Sequence, residues 1–87
     1  MCLPFSRKKK IIAQFYKNSR EKLIIQLKCY VSELYGFDME LNGNHIETDY
    51  EIFCFRAKYS NTSVKIKCKI TENKLNHKMT IHEICKL

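Results

Sequence analysis

Apolar and basic residues alternate without a break from Val64 to Ile70, in the order Val-Lys-Ile-Lys-Cys-Lys-Ile. A β-strand turns successive side chains to opposite faces of its sheet. The run therefore predicts Val64, Ile66, Cys68 and Ile70 inward and Lys65, Lys67 and Lys69 outward. Upstream of Gly36 the apolar spacing is instead three and four. Ile12, Phe15, Leu23, Leu27, Tyr30 and Leu34, widened by Ile11, Ile24 and Val31, predict a helix over residues 8–35. The stripe has a gap at Ser19. Asn18 followed by Glu21 resembles a capping box, which would divide the helix in two near residue 18. Gly36 is placed to end the helix in the left-handed conformation.

Beyond Gly36 the period is two. Phe37, Met39 and Leu41 alternate with Asp38 and Glu40, and Asn42-Gly43 predicts a hairpin turn with a return strand around residues 45–48. Further strands are expected over residues 50–59, 63–71 and 79–85. Residues 60–62 and 72–77 should be turns. The expected fold is α+β: an N-terminal helix packed on a three- or four-stranded antiparallel β-meander. In the strand over 50–59, Phe53, Phe55, Ala57 and Tyr59 should face the helix. Ile52, Cys54, Arg56 and Lys58 should then lie on the outer face. In that register Arg56 and Lys58 join Lys65, Lys67 and Lys69 in one basic sheet surface.

Eighty-seven residues make one domain, 1–87, with a basic N-terminal arm over residues 1–10. Its core is small, which disfavours a large enclosed active-site cavity. Apolar residues form 45% of the chain and charged residues 29%, a balance that argues for a folded globule. No apolar run approaches the ~18 residues of a bilayer span, and no apolar segment of signal-peptide type follows the N-terminal charges. The five cysteines, Cys2, Cys29, Cys54, Cys68 and Cys85, are odd in number and lack framework spacing. That pattern predicts reduced thiols and an intracellular protein, cytoplasmic or nuclear. Richness in Lys, Ile and Asn with few Gly, Ala and Pro fits an AT-rich genome, such as those of many viruses.

The net charge is +7, unevenly spread. Residues 1–36 carry eight basic and two acidic groups, residues 37–63 two and five, and residues 64–87 six and two. Two basic ends around an acidic middle point to polyanions or acidic surfaces as partners. The candidate polyanion-binding residues are Lys65, Lys67, Lys69, Arg56 and Lys58 on the sheet, and Arg7, Lys8, Lys9 and Lys10 in the arm. Lysines on a half-exposed strand also confer solubility and block edge pairing, and that plainer role weighs as heavily. The outer face offers at most Tyr50 as an aromatic for stacking on bases. The run Arg7 to Lys10, with Cys2 upstream as an acylation site, would also suit a membrane surface.

Catalytic chemistry finds little footing. Asp38, Glu40, Glu47, Asp49 and Glu51 with His45 match no metal-ligand spacing. His77 and His82 have no companion at such a spacing. Cys54, Cys68 and Cys85 occupy strand positions where a free cysteine packs as a small hydrophobe. Two glycines leave no room for a phosphate-cradling loop of the usual kind. No metal and no cofactor is expected. The leading expectation is a small non-enzymatic accessory protein, compatible with a viral origin, that binds a polyanion, nucleic acid first. The rival is a protein-interaction module or inhibitor of a cellular factor, meeting an acidic protein surface. A third is a peripheral membrane protein held by its N-terminal arm. An exposed sheet edge and a long amphipathic helix also leave room for a homodimer.

Overall fold

The computed structural model describes residues 11–87. The elements run β1 (Ala13–Lys17), α1 (Arg20–Tyr35), β2 (Met39–Glu47), β3 (Tyr50–Ala57), β4 (Ser63–Glu72) and β5 (His77–Lys86). All five strands form one antiparallel sheet in the order β1-β5-β4-β3-β2. The α+β class and the meander from β2 to β5 stand. Two expectations are corrected. The helix is not N-terminal, because a strand precedes it. The strands number five rather than three or four.

Residues 13–17 belong to the sheet because they alternate. Ala13 and Phe15 turn toward the helix and pack on the core, while Gln14 and Tyr16 turn away and are exposed. Ile11 and Ile12 beside this short alternation give it the look of helical spacing. The helix begins at Ser19 rather than Asn18. Ser19 is extended (φ −151°, ψ 155°), and its Oγ accepts from the Lys22 N–H at 3.2 Å. Gly36 ends the helix as expected, at φ 72°, with its N–H donating to the Ser32 carbonyl. The Ser32 hydroxyl also accepts from the Met39 N–H at 3.1 Å, which ties the helix end to the start of β2.

One face of the sheet and one stripe of the helix make the core. Leu23, Leu27 and Val31 recur every four residues and are wholly buried. They cover Met39, Phe53, Phe55, Val64, Ile66, Cys68, Met79, Ile81 and Ile84. The inward set of β4 is as the alternation requires, and Ile70 packs at its margin. Phe15 closes one flank against Tyr30, ring edge to ring face, with centroids 5.4 Å apart. Tyr59 does not face the helix. It lies past the end of β3, 91% exposed.

Asn42-Gly43 is not a turn. The pairing of β2 with β3 runs straight through it with a one-residue slip, Leu41↔Phe55 followed by Gly43↔Cys54, leaving Asn42 as a bulge. The hairpin turn falls later, at Thr48-Asp49, where Thr48 holds φ 58°. A second slip sits at His82, between Lys67↔Glu83 and Cys68↔Ile81. It lets both Ile81 and Ile84 reach the core.

The thiol expectation also needs correction. Cys29, Cys54 and Cys68 are free, but Cys85 is disulfide-bonded. The cysteines therefore no longer argue for a reducing compartment.

Candidate nucleic-acid interface

Residues paired in register across the sheet share a face. The row Tyr16↔Lys78↔Thr71 crosses β1, β5 and β4, and Gln14↔Thr80↔Lys69 runs beside it. Beyond the His82 bulge come Glu83↔Lys67↔Ile52↔His45 and Cys85↔Lys65↔Cys54↔Gly43. Arg56 lies at the far corner, between Ser63 and Glu40.

The structure does bring Lys65, Lys67 and Lys69 onto one face. Lys69 is exposed, and Lys65 and Lys67 are half-buried. Their surroundings differ. Lys67 faces Glu83 in register, and its Nζ sits over the Tyr50 ring, 4.5 Å from the centroid. Tyr50 in turn meets His82 edge to face at 5.2 Å. This group borders Ile52, which is only 4% exposed although it points away from the helix. Arg56 is exposed but stands across from Glu40. Lys58 lies past the strand and reaches Asp38 Oδ2 at 3.5 Å. Thus Arg56 and Lys58 share a surface with acidic partners and add little unbalanced charge. Arg7, Lys8, Lys9 and Lys10 lie outside the described residues.

The unbalanced charge is at the other end of the face. The two rows Tyr16-Lys78-Thr71 and Gln14-Thr80-Lys69 contain no acidic residue. Tyr16 is 54% exposed, and Lys78 Nζ lies 5.9 Å from its ring centroid. Lys17, at the end of β1, and Lys74, in the β4–β5 turn, are exposed at the same end of the sheet. One carboxylate accompanies them, Glu72, which lies in the row Lys17↔His77↔Glu72 on the opposite face from Tyr16. Lys78 and Tyr16 escape a reading of the sequence for different reasons. Tyr16 joins this face only because β1 pairs with β5, and β1 has the spacing of a helix. Lys78 joins it through the β4–β5 pairing, one residue before the strand expected over residues 79–85. The alternation Lys78-Met79-Thr80-Ile81 is the signal that was available for Lys78.

The fold also assembles a polar cluster on the inner face. Glu51 is 7% exposed and accepts from Arg20 and from Asn44, the latter at 2.6 Å. Cys68 pairs with Glu51 in register, and its thiol donates to the Glu51 carbonyl at 3.6 Å. Burial, and secondarily the Glu51 charge, push the Cys68 thiol up to about 12 against a partial offset from Arg20. A thiol held neutral in this way is a poor nucleophile. The cluster reads as a fastening between helix and sheet. No group of three His, Cys, Asp or Glu side chains among the described residues is placed to hold a metal ion. No helix among the described residues is long and apolar enough to cross a membrane. Against protein-family models, curated proteins and solved structures alike, the chain finds no match.

Proposed function

We propose that this chain is a small binding protein for polyanions, nucleic acid first, and that it works without catalysis. The observation that carries the reading is the acid-free band of Lys69, Lys78, Thr71, Thr80, Gln14 and Tyr16 on the outer sheet face. Lys65 and Lys67 continue the cations along β4, Lys67 with Glu83 opposite it. Cations on one flat surface with hydroxyl and amide donors between them suit a phosphate backbone. Glu51 and Cys68, a carboxylate and a thiol paired in register, are both engaged in the core, which favours binding over chemistry there. A partner of this kind would place the protein in the cytoplasm or nucleus. The basic run Arg7 to Lys10 would add a second contact to the same polyanion, or to a membrane surface.

Fluorescence anisotropy with labelled DNA and RNA at several salt concentrations tests this. Each phosphate neutralised on a single strand contributes ~0.7 to the log–log salt slope. Lys69→Glu with Lys78→Glu should weaken binding and flatten that slope, while Arg56→Glu should do less. Absence of binding to either nucleic acid at low salt would sink the reading.

A protein partner is the second reading, and the β2 edge favours it. This nine-residue strand is exposed from Glu40 to Glu47, and Ile46 is 77% exposed on it. Leu41 and Phe37 nearby are each 40% exposed. Edge pairing with a partner, or with a second copy, would bury those side chains. Binding built on them would be nearly indifferent to salt.

A further inference from the structure

We infer that the polyanion is a single strand, and that Tyr16 stacks on one of its bases. The inference rests on the polyanion reading above and adds the class of nucleic acid and the residue that selects it. Tyr16 differs from the other aromatic on this face. The Tyr50 ring already carries Lys67 over its face and His82 at its side, and it is half-buried. Tyr16 sits on the edge strand with more than half its surface in solvent. Its hydroxyl donates to Gln14 Oε1 at 3.4 Å, along the same strand face. Lys78 Nζ also lies over the Tyr16 ring, but at 5.9 Å from its centroid against 4.5 Å for Lys67 over Tyr50. No second ring packs against Tyr16 as His82 does against Tyr50 among the contacts of the described residues.

An aromatic ring next to cations is the minimal unit by which sheet surfaces hold unpaired bases. The ring takes the base, and the lysines take the phosphates on either side. Lys78 is the direct cross-strand neighbour of Tyr16. Lys69 lies one strand further and two residues along, about 10 Å across the sheet and about 7 Å along it by ordinary strand spacings. One short strand of nucleotides spans that distance. A duplex keeps its base faces stacked on one another, so it could use the lysines but not the ring.

The test uses the full chain and four probes in anisotropy or competition. They are a labelled single strand of about a dozen nucleotides, within the site size of small single-strand binding domains, its duplex, an abasic strand of equal length, and poly-glutamate. The base-bearing strand should bind at least about 5-fold tighter than the abasic strand or the duplex, the lower end of what one stacked base contributes. Tyr16→Ala should bring it down to the abasic level and leave abasic binding unchanged. Tyr16→Phe, which keeps the ring, should bind as wild type and guards against a folding artefact. Lys69→Glu should weaken both strands alike. Equal binding of abasic and base-bearing strands, tighter binding of the duplex, or an unaffected Tyr16→Ala would each overturn the stacking inference and leave the polyanion reading in place. Binding to none of the nucleic-acid probes would remove both. Poly-glutamate competing as well as the single strand would turn the surface over to an acidic protein partner.

Discussion

Arg20, the first residue of the helix, donates from Nη2 to Oε2 of Glu51 on the inner face of β3. The same carboxylate oxygen accepts from Asn44 on β2. One nearly buried carboxylate thus joins the helix N-terminus to two strands. Glu51 is the one charged side chain among the described residues that is buried. Its charge is tolerable because its partners come from both layers.

Removing the guanidinium should expose that dependence. Arg20→Met keeps the side-chain length and leaves Glu51 with Asn44 alone. The Arg20 side chain is 44% exposed, so solvent screens the pair and its loss falls below that of a fully buried one. A cost of about 1–3 kcal/mol in urea unfolding is expected. Arg20→Met with Glu51→Gln should recover part of it, because no uncompensated charge is then left inside. A double variant no more stable than Arg20→Met would show that the pair's charge is not what matters.

The β2–β3 turn offers a gain instead of a loss. Of its two central residues only Thr48 has positive φ, the pattern of a type II′ turn, where the first position favours glycine. A β-branched residue is strained there. Thr48→Gly should stabilise the domain by about 1 kcal/mol, the relieved strain outweighing the added freedom of the unfolded chain. Thermal unfolding measures this, and a lower midpoint would mean that Thr48 carries no strain.

Alkaline pH should single out Cys68. Its thiol ionises near 9 when unfolded and is pushed up to about 12 by burial and by Glu51. The unfolded chain therefore loses this proton first. The protection is whole below about pH 9 and is lost as pH rises toward 12, the sign required for an acid whose folded value is raised. Cys68→Val fills the site without a titrating group, so its stability should fall less between pH 8 and pH 10.5 than that of wild type. Parallel curves would contradict the shift. In thiol labelling at neutral pH, exposed Cys29 should react first and Cys68 only on unfolding.

Most of the sheet is legible in the sequence because its strands are amphipathic and the meander joins neighbours. Val64 to Ile70 fixes its register without help. The bulges are legible too, in hindsight of a physical rather than statistical kind. Met39 and Leu41 share a parity that Asn44 and Ile46 break, and Met79 and Ile81 share one that Ile84 breaks. Each break in parity demands an extra residue, Asn42 or His82, if both sets are to face the helix. What local pattern does not reveal is β1. Five residues carry too little alternation to outweigh the apolar residues beside them, and the partner strand lies at the far end of the chain. The candidate interface was half legible for the same reason. Lys65, Lys67 and Lys69 follow from alternation, whereas Tyr16 reaches them only through that distant pairing.

The pairing of Ala13 with Ile81 joins positions 68 residues apart, while every other strand pair closes through a turn of at most a few residues. Closing so large a loop carries an entropic cost that the local hairpins avoid. The hairpins from β2 to β5 should therefore form early, and β1 should dock on a sheet already in place. Phe15→Ala would then speed unfolding while leaving the folding rate nearly unchanged, a φ-value near zero, whereas Ile66→Ala would slow folding. Stopped-flow chevrons on the two variants would show it. A Phe15→Ala folding arm slowed in proportion to its lost stability would place β1 in the nucleus instead. If β1 does arrive last, the tyrosine it carries becomes part of the outer face only at the final step of folding.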